Sequence, residues 1–142
     1  MTGTAAGLLV KPLGRIFDAL DRGDVDAVLV VVEEICHPEV ELTSGIGSAV
    51  EGRTYTGFDG LREWFGDLVG AFELSYNDRE FREMNEDAVL FLSRLELRGR
   101  GSGASVIQEL GTLFESKNGL VFRAVTYRSH RDAIAAAEAL DA

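Results

Sequence analysis

The stretch DAVLFLSRLELRGRGSGASVIQELGTLFESKNGLVFRAVTYR, residues 87–128, decides the fold of this chain. It contains three apolar runs, Asp87–Arg98, Ala104–Glu115 and Leu120–Arg128, separated by the turn sequences GRGSG (99–103) and SKNG (116–119). Runs of this kind between glycine turns predict three consecutive antiparallel strands. Apolar residues lie on both faces of the predicted strands, so helices must cover one face and another chain or strand the other.

Two helices are predicted near the N-terminus, joined as a hairpin. The first is expected to begin between Leu8 and Leu13, with Pro12 in its first turn, because proline is tolerated there but not in a helix interior. Gly23 ends it as a left-handed cap, and Asp24 is a good N-cap for the second helix, VDAVLVVVEEIC. Residues 1–7 are small and polar and are expected to be disordered.

A third helix is predicted at Gly57–Phe72, where the apolar residues recur at helical spacing. The remaining predicted elements are a short strand at Glu39–Thr43, a loop at Ser44–Ala49, an extended segment at Val50–Thr56, a polar strand or strand pair at Glu73–Met84, and a short helix or frayed tail at Asp132–Leu140. Helices first and an antiparallel meander last is an α+β order. We therefore expect one α+β domain over residues 1–142.

Composition narrows the class of function. The net charge of −10 argues against nucleic acid and against an anionic membrane surface as partners. Cys36 is the only cysteine, which favours a reducing compartment and a buried structural thiol. No apolar run is long enough to span a bilayer, and the N-terminus does not read as a signal peptide, so a cytoplasmic location is expected. No nucleotide-binding motif or metal-ligand cluster occurs, so we expect no cofactor and no metal.

Several segments carry a family resemblance. LDRGDVDAV (20–28), HPEVEL (37–42), EGRTYTGFDGLREWF (51–65), GRGSG (99–103), NGLVFRAVTYR (118–128) and RDAIAAAEAL (131–140) resemble the SnoaL-like (polyketide-cyclase-like) proteins of the nuclear-transport-factor-2-like (NTF2-like) superfamily. The resemblance implies a cone-shaped, curved antiparallel sheet whose concave face is covered by the helical hairpin and the third helix. It also implies homodimers through the convex face. Members include polyketide cyclases, steroid isomerases, epoxide hydrolases, dehydratases and subunits without activity.

The resemblance also allows a test of chemistry. The steroid isomerases need a base carboxylate, a tyrosine and a protonated carboxylic acid. The corresponding positions here are Leu42, Ile16 and Leu110, which are all apolar, so the chain is not a steroid isomerase of that mechanism. Polyketide cyclases pair an aspartate with a nearby histidine, but His37 and His130 lie at a helix end and beyond the last strand, where we expect them to face solvent.

Turn geometry predicts the pairing of the strands. A hairpin symmetric about Gly101 places Arg94 opposite Gln108. A three-residue loop at 117–119 then places Gln108 opposite Arg128 and Leu110 opposite Thr126. A two-residue turn at 118–119 would instead shift the pairing of the last strand by one residue and move its side chains to the opposite face. We prefer the three-residue loop because the isomerase comparison puts Leu110 and Thr126 on one face.

This register predicts a polar edge on the concave face. Arg94, Gln108 and Arg128 would lie in a row with Glu96 beside them, next to an apolar region. In the functional interpretation, Arg94 and Gln108 hold a carboxylate, enolate or carbonyl group, and Glu96 or Glu41 serves as general base with Arg94 as electrostatic stabiliser. In the structural interpretation, these charges only satisfy one another at the rim of the sheet.

Trp64, Leu110 and Tyr55 complete the candidate ligand site, with Trp64 on the pocket-facing stripe of the third helix and Tyr55 at the mouth. Plain core packing is the alternative for Trp64. The other face of the strands, with apolar residues from Phe91 to Tyr127, is expected to pair with a second copy. We therefore expect a protein that binds a small apolar molecule. The alternatives are a cofactor-independent cyclase, isomerase or dehydratase, and a dimerising subunit without ligand.

Overall fold

The computed structural model describes residues 4–44 and 53–140. The elements are four helices and six strands: α1 Ala5–Asp21, α2 Val25–Ile35, β1 Cys36–Ser44, β2 Arg53–Thr56, α3 Gly57–Ala71, β3 Phe72–Asn85, β4 Ala88–Gly99, β5 Ser105–Lys117, β6 Leu120–Tyr127 and α4 His130–Ala139. The predicted loop at 45–49 and the first part of the predicted extended segment, 50–52, lie outside the described residues. No helix of the described residues is long and apolar enough to cross a membrane.

The strands form one six-stranded sheet in the order β2-β1-β6-β5-β4-β3. All pairs are antiparallel except β1 with β6, so the sheet is mixed rather than wholly antiparallel. Helices α1, α2 and α3 pack on one side, which we call the inner face, and share one core with it. Helix α4 packs on the opposite side, the outer face, with a smaller core of its own. The predicted α+β architecture, a sheet covered by the helical hairpin and the third helix, is confirmed.

Helix α1 begins earlier than predicted. Helix α1 begins at Ala5, where the Thr4 hydroxyl accepts a hydrogen bond from the Gly7 backbone N–H at 2.9 Å. The Ala6 backbone N–H donates to the Glu86 carbonyl oxygen at 2.9 Å, and Ala6 is fully buried. The start of α1 therefore contacts the β3–β4 turn. Pro12 consequently lies inside α1 rather than in its first turn.

The junction of the helical hairpin follows the prediction. Gly23 adopts the left-handed conformation, with φ +70°, and does so without steric strain because glycine lacks a Cβ. The Asp24 carboxylate accepts a hydrogen bond from the Ala27 backbone N–H at 3.0 Å and so caps α2. A short polar connection therefore sends α2 back along α1, and both helices present apolar faces to the sheet.

The predicted register between β4 and β5 was wrong by one residue. Arg94 lies opposite Glu109 rather than Gln108, and Phe91 lies opposite Thr112. The cause is the turn: Gly103 has φ +70°, and its N–H bonds the Gly99 carbonyl oxygen at 2.8 Å, so the hairpin is not centred on Gly101. A shift of one residue turns every side chain of a strand to the other face. The even-numbered residues of β4 therefore lie on the outer face.

The β5–β6 hairpin combines features of both alternatives. Asn118 and Gly119 both have positive φ, +55° and +80°, and Lys117 pairs with Leu120, so the connection is the two-residue turn and not the preferred three-residue loop. An irregularity at Glu115 and Ser116 then shifts the pairing by one residue. Beyond it, the even residues of β5 and β6 share the inner face, as predicted, but Thr126 lies opposite Thr112 and not opposite Leu110, so that predicted pairing was wrong.

Candidate functional site

A cavity lies between the inner face and the three helices, in the middle of the main core. Its volume is about 60 Å³. This is several times the space of one water molecule and well below the ~300–1,000 Å³ of sites that hold drug-sized ligands. Its wall consists of Leu13, Ile16, Phe17, Leu20, Val32, Cys36, Val40, Leu42, Leu61, Trp64, Phe65, Tyr76, Leu110, Thr112, Phe114, Val121, Ala124 and Thr126.

Aromatic side chains narrow the cavity. Phe17 of α1 stacks on Phe91 of β4 with ring centroids 4.0 Å apart, and its centroid lies 4.9 Å from that of Tyr76. Trp64 meets Phe65 edge-on at 4.8 Å. Tilted and edge-on pairs such as Phe17–Tyr76 and Trp64–Phe65 pack favourably beyond the area that they bury. Aromatic side chains therefore fill much of the space between the helices and the inner face. The space that remains suits a molecule of about the size of one ring.

A charged network outside the cavity positions Tyr76. The Asp21 carboxylate accepts hydrogen bonds from the Tyr76 backbone N–H at 2.9 Å and from the Arg79 guanidinium at 2.8 Å. Arg79 also donates to Asp18 at 2.5 Å. Burial raises the pKa of Asp21, although the Tyr76 N–H and Arg79 oppose the shift. This network fixes the end of α1 to a bulge in β3, where Asp78 has φ +54°.

The wall of the cavity carries no charged side chain. Its polar groups are a thiol, a phenol, an indole and two hydroxyls, on Cys36, Tyr76, Trp64, Thr112 and Thr126. Burial raises the pKa of Cys36 to about 12, so the thiol is protonated at neutral pH and is a poor nucleophile. Burial also raises the pKa of Tyr76. The surface of the cavity is therefore almost wholly apolar, and no ionised acid or base lies in its wall.

All three positions that correspond to catalytic residues in the steroid isomerases meet in this cavity. Ile16, Leu42 and Leu110 belong to its wall, and each is at most 6% exposed. All three side chains are apolar, so none of them can transfer a proton. Trp64, a predicted ligand-binding residue, lies on the same wall.

The predicted polar edge is not assembled. Arg94 is exposed on the outer face, whereas Gln108 lies on the inner face at the end of β5, opposite Leu95. Glu96 is on the outer face too, where it accepts a hydrogen bond from the Ser105 hydroxyl at 3.3 Å. Arg128 is exposed just beyond β6. The shifted β4–β5 register separates these residues, and none of them lines the cavity.

The other candidates lie elsewhere. Glu41 is exposed on β1, opposite Thr56 and Arg123. Tyr55 is buried under the Arg53 guanidinium, 4.5 Å from the ring centroid, and is not part of the cavity wall. Arg53 also pairs with Glu63 of α3 at 3.0 Å.

Both histidines are partly buried rather than turned fully to solvent. His37 Nδ1 accepts a hydrogen bond from the Glu39 backbone N–H at 3.0 Å. His130 begins α4, where its Nε2 lies 2.7 Å from the Ser93 carbonyl oxygen and its backbone N–H donates to Glu109 at 2.8 Å. Neither lines the cavity, and no cluster of metal-ligating side chains occurs within residues 4–44 and 53–140.

Trp64 and Leu110 are the wall residues that the sequence predicted as ligand-binding, and those it did not predict include Phe17, Cys36, Tyr76, Thr112 and Thr126. Phe17 lies at helical spacing from Leu13 and Leu20, and Thr112 and Thr126 alternate with outward residues on their strands, so these patterns could have found all three. Tyr76 stands in the polar segment ELSYNDREF, which gives no local signal that its ring turns inward. Only the packing of α1 against β3 reveals it.

No protein-family model matches the chain, and no curated protein matches it in sequence. Solved structures match it over most of its length. A protein from Xanthomonas campestris pv. campestris, provisionally assigned as a polyketide cyclase, has a TM-score of 0.69 and 16% identity, and the match covers 94% of this chain and 96% of that one. An NTF2-like protein from Burkholderia xenovorans LB400 has a TM-score of 0.69 and 17% identity, with 96% and 99% covered.

TerC, co-crystallised with polyporic acid, has a TM-score of 0.68 and 18% identity, and the match covers 91% of this chain and 97% of TerC. Likeness at such low identity shows the fold and no more. The chain has the fold shared by the SnoaL-like and NTF2-like proteins, as the sequence resemblance implied.

Proposed function

We propose that this protein binds a small, uncharged and mainly apolar molecule in the cavity between α1–α3 and the inner face. The observation that carries the proposal is an apolar cavity, within the main core, whose wall holds aromatic and aliphatic side chains and no charge. An ionised ligand would lose its hydration there without gaining a counter-charge, which costs many kcal/mol. A neutral ring gains about 25 cal/mol for each Å² of apolar surface removed from water.

The size of the cavity limits the ligand. A volume of about 60 Å³ admits a molecule of about one ring unless aromatic side chains rotate. TerC was co-crystallised with polyporic acid, so a protein of this fold has been studied with an organic ligand. That parallel supports binding of an organic molecule and does not identify it.

The test is a titration with toluene, followed by the fluorescence of Trp64 and by protein NMR. Trp64 is the only tryptophan of the chain and lines the cavity, so its emission reports occupancy without a label. We expect saturable binding with shifts confined to the cavity wall. The variant Ala124→Leu fills the cavity from β6 and is expected to weaken binding at least ~10-fold.

Val125→Leu is the matched control, because Val125 is the next residue, opposite Leu113 on the outer face. We expect it to bind toluene like the wild type. The proposal fails if the wild type does not bind toluene, or if a folded Ala124→Leu protein binds it unchanged.

Binding is preferred to catalysis because the candidate acid–base residues Glu96, Glu41 and Arg94 lie outside the cavity wall. A cyclase, isomerase or dehydratase needs an acid or base near its operating pH at the reacting atoms. The groups available in the wall are hydroxyls, an indole and a thiol whose pKa is raised to about 12. They suit recognition of a neutral molecule better than proton transfer.

Two further expectations belong to this proposal. One is a homodimer through the outer face, supported by Ile107, which lies on that face opposite Glu96 and is 58% exposed. Helix α4 covers the part of the face around Leu92, so the partner would contact the part that α4 leaves open. The other is a reducing, cytoplasmic location, supported by a single, buried cysteine.

A further inference from the structure

We propose that the ion pair of Asp21 and Arg79 limits the size of the ligand, because it holds the Tyr76 ring in the cavity wall. The wild-type protein then binds molecules of one ring and excludes molecules of two fused rings. This inference rests on the proposed function and assigns ligand selection to two residues that lie outside the cavity wall. Both act through Tyr76, so they are positioning residues.

The ion pair holds the backbone of Tyr76 at the free edge of the sheet. Strand β3 is the last in the sheet order, so β4 pairs with it on one side only. On the other side, the Tyr76 N–H donates to Asp21 Oδ1 at 2.9 Å, and the Tyr76 carbonyl oxygen accepts from Arg79 Nε at 3.0 Å. Arg79 Nη2 donates to Asp21 Oδ2 at 2.8 Å. Both polar backbone groups of Tyr76 therefore depend on the same two side chains.

The same contacts join α1 to β3 where the two elements bring their rings together. Asp21 lies on α1 one helical turn after Phe17. The centroids of the Phe17 and Tyr76 rings are 4.9 Å apart, and both rings line the cavity. Arg79 also donates to Asp18, which directly follows Phe17. The network thus fixes the distance between the two elements that carry this aromatic pair.

The network is partly shielded from water. The Arg79 side chain is 25% exposed and that of Asp21 is 31% exposed. Fully exposed ion pairs contribute little, because water and salt screen them. Arg79 instead donates to three acceptors, on Tyr76, Asp18 and Asp21, and hydrogen bonds of a charged donor are stronger than neutral ones. Such a network can hold a ring against a ligand that pushes on it.

Tyr76 is the ring of the wall whose position depends on this network. Phe17 is stacked on Phe91 of β4, with ring centroids 4.0 Å apart. Tyr76 instead lies in an edge strand and directly precedes an irregularity between Asn77 and Glu80, where the pairing with β4 shifts. A second ring in the ligand has to displace the Tyr76 ring, and the network opposes that displacement. The ligand class is thus a neutral molecule with a single ring.

Toluene and naphthalene provide the test, because both are uncharged and apolar and differ in the second ring. The quantity measured by protein NMR titration is the ratio of the dissociation constant of naphthalene to that of toluene. We expect naphthalene to bind the wild type at least ~10-fold more weakly than toluene, although it has more apolar surface to bury.

Asp21→Ala and Arg79→Ala each break the network, so either variant alone tests its role. We expect each to lower the ratio about 5- to 10-fold, the usual net effect of one hydrogen bond, while toluene affinity changes less than about twofold. The matched control is Glu34→Ala, which removes another arginine–carboxylate pair of α1. That pair, with Arg15 at 3.2 Å, joins α1 to α2 and not to β3, so the control should keep the wild-type ratio.

A double-mutant cycle shows whether Asp21 acts through the ring of Tyr76. Tyr76→Leu removes the ring and should lower the ratio by itself. Asp21→Ala added to Tyr76→Leu should then change the ratio less than about twofold. If Asp21→Ala has its full effect in the Tyr76→Leu background, or if Glu34→Ala lowers the ratio equally, the network acts on the fold at large and the inference is overturned.

The outcomes also separate this inference from the proposed function. If the wild type binds toluene and the Asp21→Ala and Arg79→Ala variants keep its ratio, the size limit by the network is wrong and the binding proposal stands. If the wild type binds naphthalene as tightly as toluene, the same conclusion follows. If neither molecule binds the wild type, the binding proposal fails and this inference fails with it.

Discussion

At the scale of single residues, the main feature of the cavity is that its wall contains no charged side chain. The sequence resemblance assigns Ile16, Leu42 and Leu110 to the positions of a tyrosine and two carboxylic acids in the steroid isomerases; here all three are apolar and line the cavity. The sequence was sufficient to predict this absence, because it depends on residue identity and not on register. It could not predict that Tyr76 turns inward, because that depends on packing between α1 and β3.

Cys36 provides a residue-scale prediction. Its thiol is buried in the cavity wall and its pKa is raised to about 12 from an ordinary value of 9.0, so its thiolate fraction at neutral pH falls on the order of 1,000-fold. We expect a thiol reagent to label native protein at least ~100-fold more slowly than an exposed cysteine, with Val30→Cys in a Cys36→Ala background as reference. Comparable labelling rates would show that the cavity wall is open to the reagent.

Asp21 gives a prediction of pH dependence. Because burial raises its pKa in the folded state, the folded protein binds this proton more tightly than the unfolded chain. The contribution of this group to the free energy of unfolding is greatest below the unfolded pKa and is lost as the pH rises through the raised folded pKa. Asp21→Asn removes the titration.

Relative to wild type, the unfolding free energy of Asp21→Asn should therefore rise over that pH window. Urea unfolding at a series of acidic to neutral pH values measures it. A difference that stays constant, or that falls with pH, would mean that the Arg79 and Tyr76 contacts outweigh the effect of burial.

At the scale of elements, turns decide which predictions succeeded. Glycine caps and apolar periodicity predicted α2, α3 and the three meander strands within about two residues, because these signals are local. The β4–β5 register failed because a single left-handed residue, Gly103, displaces the hairpin by one position. The face of β6 was predicted correctly for the wrong reason, since a two-residue turn and a compensating irregularity replace the expected loop. The predicted polar edge of Arg94, Gln108 and Arg128 depended on that register and failed for the same reason.

The docking of α4 on the sheet gives an element-scale prediction. A Cβ added at Gly111 would lie 2.2 Å from the Cβ of Ala133, so Gly111→Ala forces helix and sheet apart. We expect it to lower the free energy of unfolding by about 1–3 kcal/mol. Chemical denaturation of the purified variant measures the loss.

The matched control is Gly66→Ala in α3, where the added methyl group meets nothing within 4 Å. Because alanine is a better helix former, the control should be stabilised by up to about 1 kcal/mol. Equal stability of Gly111→Ala and wild type would show that α4 does not pack closely on β5 in solution.

At the scale of the whole molecule, the order of elements and the need to cover both faces of the sheet predicted the fold. The parallel pairing of β1 with β6 was not foreseen, because it joins segments distant in sequence. The cover of the outer face differs from the expectation too. Part of it is the chain's own α4, which packs on Leu90, Leu92 and Leu113. The part of the outer face left open to the proposed second copy is therefore smaller than the apolar pattern implied.

The proposed homodimer makes a whole-molecule prediction. Ile107→Asp places a charge on the open part of the outer face and should shift a dimer to monomer in analytical ultracentrifugation at micromolar concentration. Val30→Asp is the control, since Val30 is similarly exposed, at 57%, but lies on α2. A monomeric wild type, or dissociation by the α2 variant alone, would contradict the proposed interface.

The central claim is that the cone encloses an apolar cavity open to small neutral molecules. Crystals pressurised with xenon test it most directly, because xenon enters apolar cavities and is located by its anomalous scattering. The account predicts one main xenon site within contact distance of Phe17, Trp64 and Leu110, absent from Ala124→Leu crystals treated alike. A wild-type crystal with xenon only elsewhere, or the same site retained in Ala124→Leu, would contradict it.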